Sequence, residues 1–286
     1  MSKGVLLFAQ NNASIDYIKQ AIFCAKKIKQ HLNLSVALAT DNKSYLEKTY
    51  PFYKKYIEHV IETKPYSTKQ RRNFKDGTMS ARELEWKNHN RGTCYELSPF
   101  NETIVMDTDF IIGNDTLLQC FNTSENFLIH RNVTDVNMDR PDEHRFNKIS
   151  DRSIDMYWAT LFYFKKSKDT KSFFDLIEHI RENWNFYRLI YQIPRANFRN
   201  DFAFSIAIHI LNGFQRSNWP RPMPGNMWLT TDSDILLKTE DDSYTFLLDK
   251  KEWLGQYHVG KVNDVNVHIM NKFSLNRAID KDFENE

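Results

Sequence analysis

Short apolar runs alternate along this chain with stretches whose apolar residues return every three or four positions. Val5 to Ala9 is a continuous apolar run of the kind a strand buried on both faces requires, and Gln10-Asn11-Asn12-Ala13 is a polar turn leaving it. Ser14 is expected as an N-cap, because behind it Ile15, Ile18, Ile22, Ala25, Ile28 and Leu32 recur at helical spacing. Leu34 to Ala39 reads as the next strand, ending at Thr40-Asp41-Asn42. Tyr45 to Tyr56 is helical or irregular, and Glu58 to Ile61 is a third strand. Strand, helix and strand at this spacing predict a right-handed parallel βαβ start.

The pattern continues with a helix expected over Ser80 to His89, which leads into Thr103-Ile104-Val105-Met106, a short β-branched apolar strand. Phe127-Leu128-Ile129 and Tyr157 to Phe164 are further strands, separated by a polar excursion from Thr134 to Ser153. Ser172 to Leu189 carries a second amphipathic helix. A third is predicted by Phe202, Ala203, Ile206, Ala207 and Ile210, with Asn200 or Asp201 at its N-terminus, where Asp201 reads most simply as an N-cap. The proline-rich Trp219 to Gly225 is a rigid loop, and 229–277 reads as strands and turns. No repeat or linker interrupts the pattern. The expectation is an α/β fold with a mixed, mainly parallel sheet flanked by helices, in a single compact domain spanning 1–286.

Composition narrows the class. With 41% hydrophobic and 14% aromatic content in 286 residues, the chain can bury a sizeable core, which excludes disorder. A net charge of +2 does not by itself call for nucleic acid or an anionic membrane. No run approaches the ~18 apolar residues of a spanning helix. The opening five-residue apolar run is too short for a secretion signal. Cys24, Cys94 and Cys120 form no C-x-x-C pair and suit a reducing compartment, so a cytoplasmic protein is expected. Neither G-x-x-x-x-G-K-[ST] nor G-x-G-x-x-G occurs, which disfavours P-loop and Rossmann oxidoreductase chemistry.

The chemistry concentrates where the Thr103 strand runs into Asp107-Thr108-Asp109 before turning apolar again at Phe110. A buried strand ending in two carboxylates needs a cation or strong donors to offset their desolvation. If the strand continues through them, both fall on one face, as hard oxygen ligands for Mg²⁺ or Mn²⁺. Upstream, residues 64–93 are polar and basic, with Lys64, Lys69, Arg71, Arg72, Lys75, Arg82, Lys87 and Arg91. This run is either a solvated segment or a cationic wall over a polyanion.

The order of these features resembles the GT-A glycosyltransferases, and is most similar to glycosyltransferase family 8. The shared pattern is a βαβ start, a strand ending in D-x-D, a helix opening on an Asp, and a late His. The resemblance covers roughly residues 4 to 275 and rests on short motifs. It implies a nucleotide-binding half over about 1–115 and an acceptor half over about 116–286, with a nucleoside-diphosphate sugar, most simply a UDP-sugar, as donor. By resemblance Asp107, Asp109 and His268 hold Mn²⁺ or Mg²⁺. Asp107 and Thr108 also lie against the donor, and Asp201 meets the donor-sugar hydroxyls or serves as base. The resemblance places Ala9, Gln10, Asn11, Asn12 and Tyr17 along the nucleotide, Asp41 at its base, and Arg72 and Lys87 at the diphosphate or sugar. In the family a Gly and a Lys stand three and six residues after the His. Here Asn271 and Lys272 stand three and four after, which leaves the phosphate role of Lys272 open.

The implied reaction is transfer of a sugar to an acceptor hydroxyl, with retention or inversion both open. The acceptor is a glycan, lipid or protein, or a hydroxylated base in viral DNA, the last suggested by Tyr66, Phe74 and Trp86 among the basic residues. Residues 64–93, 134–153 and Trp219 to Gly225 are the candidate acceptor loops, with Trp219, Trp228 and Trp253 available to stack on sugars. Two alternatives stand beside it. A haloacid-dehalogenase-type phosphotransferase also uses Asp-x-Asp, but on its first strand and with Thr or Val where Ile111 stands. A non-catalytic sugar- or nucleotide-binding module has no need of a metal.

Overall fold

The computed structural model describes residues 2–65, 68–87, 91–138, 140, 147–150, 153–194, 197–240, 242–251 and 254–283. The chain opens with β1 (Lys3–Ala9), α1 (Tyr17–Leu32), β2 (Ser35–Thr40), α2 (Lys43–Thr49), a 3₁₀ turn over Pro51–Lys55, and β3 (His59–Glu62). β1 pairs in parallel with β2, and β2 with β3, so the predicted start is present. One face of α1 drives it onto the sheet: Ile18, Ala21, Ile22, Ala25, Ile28 and Leu32 are buried. Each large side chain so covered contributes roughly 1.5–3 kcal/mol. The helix starts later than Ser14. Asp16 is the cap and accepts from the Lys19 amide, while Asn12 Oδ1 accepts from the Ser14 and Ile15 amides.

Next come β4 (Arg71–Lys75) and β5 (Ala81–Glu85), an antiparallel hairpin where a helix over Ser80 to His89 was expected. Asp76-Gly77 supplies the turn, with Gly77 at φ +77°. Phe74 and Leu84 bury against Ile15, while the charged neighbours of Leu84 remain outside. The period is therefore two, and an Asp-Gly dipeptide between two such runs is a hairpin signal. His89 and Tyr66 lie outside the described residues.

The helix α3 (Cys94–Leu97) leads to β6 (Glu102–Met106), which is buried throughout, and β7 (Phe110–Ile111) follows. Then β8 (Phe127–Ile129), β9 (Thr134–Asp135) and β10 (Leu161–Lys165) precede α4 (Lys168–Glu182), α5 (Trp184–Ile190) and α6 (Asn200–Leu211). Among the described residues the main sheet has the order β3-β2-β1-β6-β10-β8. β6 is parallel to β1 and antiparallel to β10, which is antiparallel to β8. This is the mixed, mainly parallel sheet flanked by helices that the sequence predicts. Phe127, Phe162, Phe173, Phe174 and Phe204 pack α4 and α6 onto it, with ring centroids as near as 4.6 Å. Trp219 joins this cluster, 6.0 Å from Phe127, and so serves as a core aromatic rather than a free stacking platform.

Three local expectations fail here. The predicted Tyr157 strand begins only at Leu161, because the amides of Tyr157 and Trp158 bond to Ser205 Oγ and the His130 carbonyl. The Ser172 to Leu189 helix breaks at Asn183 into α4 and α5. The N-cap of α6 is Arg199, and Asp201 sits inside the first turn.

The rest of the chain forms β11 (Trp228–Leu229), β12 (Ile235–Glu240), β13 (Ser243–Asp249), β14 (Tyr257–Asn263), β15 (Val267–His268) and α7 (Lys272–Phe283). β12, β13 and β14 make a separate antiparallel sheet. A small sheet in the order β7-β15-β11-β9 ties the tail to the segment after Asp109. The expected strands and turns thus give way to a helix at Lys272, where Leu275, Ala278 and Ile279 bury at helical spacing. That helix packs on α1, with Gln20 Nε2 donating to Asn276 at 2.8 Å. No helix among the described residues is long and apolar enough to cross a membrane.

Candidate functional site

β1 and β6 run parallel and end at the same edge of the main sheet, the usual place for ligands in α/β folds. Asp107, Thr108 and Asp109 do not continue β6. They form a turn, closed by the Phe110 amide donating to the Asp107 carbonyl, before β7 enters the small sheet. The turn, rather than strand alternation, brings the two carboxylates to one side. β15 lies beside β7, with His268 opposite Phe110 and the Ile269 amide donating to the Asp109 carbonyl. His268 Nε2 is thereby 3.0 Å from Asp109 Oδ2 and 4.0 Å from Asp107 Oδ2. One ligand atom from each of Asp107, Asp109 and His268 lies within 4.8 Å of the others.

Two cations rest on these carboxylates. Lys272, the first residue of α7, pairs with Asp109, and Arg91 pairs with Asp107. Burial alone would raise the Asp109 carboxyl, but Lys272 and His268 hold it well below the usual carboxylate range. Burial lowers the Lys272 ammonium, against the opposing pull of Asp109. Burial likewise pushes Arg91 down to about 10, against Asp201 and Asp109. Arg91 also lies over the Phe8 ring, and its amide donates to Asn200 Oδ1, which links the D-x-D turn to α6.

Asp201 faces the same cleft. Its carboxylate accepts from the Ala159 amide at 3.0 Å and from Arg199 at 2.6 Å. The hairpin closes another side: Arg72 lies 5.4 Å from the Phe74 ring and 5.8 Å from Trp86, and Asn197 donates to the Arg71 carbonyl. Burial and the nearby Arg199 both lower Arg72. Lys87 lines the cleft and reaches Asp41 at 3.7 Å.

Of the residues singled out from the sequence, Gln10, Tyr17, Arg72, Lys87, Asp107, Thr108, Asp109, Asp201, His268 and Lys272 line this one cleft. Burial raises the Tyr17 hydroxyl, with Asp109 adding to it. Ala9 is buried in β1, and Asp41 stands behind Lys87. Asn11 and Asn12 do not line the cleft: Asn11 Oδ1 accepts from the Ile18 amide, and both asparagines border a separate groove beside Lys19 and Arg277. Trp228 packs into the core of the small sheets, and Trp253 lies outside the described residues. Arg91 was visible only as a member of the basic run 64–93, and Arg199 was not singled out. Their signal was position, with Arg199 two residues before Asp201, and no spacing rule picks either out.

The arrangement can hold a divalent cation on two carboxylates and an imidazole, with cations beside it for a polyanion. No protein-family model matches the chain, and no curated protein does. Solved structures to which it is similar include the apo form of glycosyltransferase GlyE from Streptococcus pneumoniae TIGR4. The identity is 13% and the TM-score 0.42, over 76% of this chain and 44% of GlyE. They also include galactosyltransferase LgtC in complex with donor and acceptor sugar analogues, at 11% identity and TM-score 0.43, over 71% of this chain and 70% of LgtC. The bifunctional IspDF of Campylobacter jejuni is similar over 61% of this chain and 43% of its own, at 11% identity and TM-score 0.35. The chain thus spans under half the length of GlyE, and likeness at these values bears on neither activity nor substrate.

Proposed function

We propose that the chain is a metal-dependent glycosyltransferase that moves a sugar from a nucleoside-diphosphate sugar, most simply a UDP-sugar, to an acceptor hydroxyl. The observation that carries this reading is the convergence of Asp107, Asp109 and His268 within 4.8 Å, beside Arg91 and Lys272. The donor set fits Mn²⁺ or Mg²⁺, since carboxylate oxygens suit hard cations and the imidazole favours Mn²⁺ of the two. His268 Nε2 is the ring nitrogen that faces both carboxylates, 3.0 Å from Asp109 Oδ2 and 4.0 Å from Asp107 Oδ2, and so is the one that would ligate the ion. Such a cation, when bound, neutralises charge on the departing diphosphate.

The chain's own groups divide the remaining work. Arg91 and Lys272 are placed to take the diphosphate oxygens with charge-assisted hydrogen bonds. Gln10 and Tyr17 border the nucleoside side, and Gln10 Nε2 is buried with no partner among the described residues. Asp201, fixed by the Ala159 amide and Arg199, supports an orienting role toward donor-sugar hydroxyls rather than that of a base for the acceptor. Because His268 and Lys272 come from the tail, the donor site draws on residues well beyond 1–115. The phosphotransferase reading places its Asp-x-Asp after the first strand, whereas here the motif follows β6, in the middle of the main sheet.

The test is thermal stability of the wild type and Asp109→Ala with UDP, other nucleoside diphosphates and their sugars, each with and without Mn²⁺. A rise of several degrees that needs both metal and one nucleotide, and that vanishes in the variant, supports the proposal. No rise with any pair would overturn it.

A further inference from the structure

The outer side of α5 and the end of α6 expose apolar side chains together. Phe186, Leu189 and Ile190 of α5 are 60%, 67% and 58% exposed, and Leu211 and Phe214 are 49% and 66% exposed. Positions 186, 189 and 190 share one side of the helix, while Trp184 is buried in the core. Tyr191 joins the two elements, its hydroxyl 3.0 Å from His209 Nδ1, and the His209 ring lies 5.6 Å from that of Phe214. Single exposed apolar residues are ordinary on a protein surface. A contiguous group of large ones marks an interaction face.

Beside this face lies a pocket bordered by Arg131, Ser153, Asp155, Asn212 and Arg216, with Phe214 at its edge. Arg131 and Arg216 both reach Asp155, at 3.2 and 3.3 Å, so two guanidinium groups share one carboxylate. The Arg216 side chain is 82% exposed. Two guanidinium groups on one carboxylate leave a net positive charge at this pocket, beside the exposed apolar residues. A second copy of the chain is a poor occupant, since pairing this face with itself sets like charges together. An apolar, aromatic and arginine-rich surface is instead complementary to an anionic lipid layer, which takes apolar side chains below its phosphates.

We propose that this face seats on an anionic lipid bilayer, with Phe186, Leu189, Ile190 and Phe214 entering the headgroup boundary and Arg131 and Arg216 taking a lipid phosphate. Binding is peripheral, as no described helix is long and apolar enough to span. This inference does not rest on the glycosyltransferase reading.

The experiment is sedimentation of the full chain with vesicles of phosphatidylcholine alone or mixed with phosphatidylglycerol. Wild type, the Leu189→Ser/Ile190→Ser pair and Arg216→Glu are compared, with melting temperature as the folding control. The expected result is pelleting of wild type with anionic vesicles only, reversed by high salt. Both variants remain in solution at unchanged melting temperature. Wild type that ignores both vesicle types, or variants that pellet like wild type, would overturn the proposal. So would a wild-type dimer, seen by light scattering, that ignores vesicles and becomes monomeric in the Leu189→Ser/Ile190→Ser variant.

Discussion

Asp109 Oδ2 is shared by Lys272 Nζ and His268 Nε2, so one buried oxygen serves two donors from the far end of the chain. With Arg91 on Asp107, both carboxylates are already neutralised by resident cations. A divalent ion entering alone adds two positive charges to a balanced site, whereas an ion entering with the doubly negative diphosphate of a nucleotide sugar adds none, and with UDP the sum is negative. Wild type is therefore expected to bind Mn²⁺ weakly without nucleotide. Lys272→Met should tighten metal-only binding and weaken UDP binding, each by about tenfold, the order of one charge-assisted hydrogen bond. Calorimetric titration of Mn²⁺ with and without UDP measures both. Unchanged metal affinity in the variant would refute the exchange.

Acid should release the same pair. Asp109 is held below the usual carboxylate range, so its contribution to stability is fully present above pH ~4 and declines as pH falls toward its folded value. Asp109→Asn leaves Lys272 buried without its partner and should cost roughly 3–5 kcal/mol at neutral pH. Urea denaturation at pH 7, 5 and 3 should show the wild-type advantage shrinking at the lowest pH.

His130 sets a second, separate pH window. Burial lowers its imidazole to about 4, so the folded protein prefers the neutral ring. Stability should be full above pH ~6.5 and fall as pH drops toward 4, by about 3 kcal/mol if burial persists. His130→Phe should flatten the melting-temperature profile between pH 7 and 5. An unchanged slope would show that another group carries it.

Much of this was legible in the sequence because it follows from local pattern. The Val5 strand, the α1 stripe and the Thr103 strand are set by apolar periodicity, and the D-x-D is visible where a buried strand meets carboxylates. The hairpin was misread because Arg82-Glu83-Leu84-Glu85 offers only one apolar residue, too few to fix a period, and Asp76-Gly77 was passed over. The pairing of Arg91 with Asp107 depends on how the segment before α3 folds back on the turn after β6, which no residue spacing encodes. The pairing of Arg199 with Asp201 is local, two residues apart, but what places it in the cleft is the meeting of α6 with the Ala159 segment.

The hairpin is latched at its tip, where Asp76 takes both nitrogens of Arg277 at 2.7 and 2.8 Å and Tyr257 accepts from the Thr78 amide at 2.8 Å. The ion pair is exposed, so Asp76→Ala should change stability by no more than about 1 kcal/mol. It should nonetheless loosen the hairpin that carries Arg72 and leads to Lys87. Faster tryptic cleavage at Lys75 or Arg82, with an unchanged melting temperature, is the expected result.

Gly113 tests how the two ends of the chain are joined. A Cβ there would lie 2.4 Å from the Val265 carbonyl oxygen, and the Gly113 amide donates to Asn266 Oδ1 at 2.9 Å. Gly113→Ala should cost roughly 1–3 kcal/mol and displace β15. Metal affinity should fall with it, whereas a merely destabilised protein would keep its affinity in the folded fraction.

The pairing of β7 with β15 also has a temporal consequence. Asp109 leaves the ribosome 159 residues before His268. At about 5–20 residues per second, the interval is roughly ten to thirty seconds. Throughout it the growing chain holds the two carboxylates with neither His268 nor Lys272 to complete them. The Asp107, Asp109 and His268 cluster therefore stays incomplete until the ribosome has delivered the segment that carries α7.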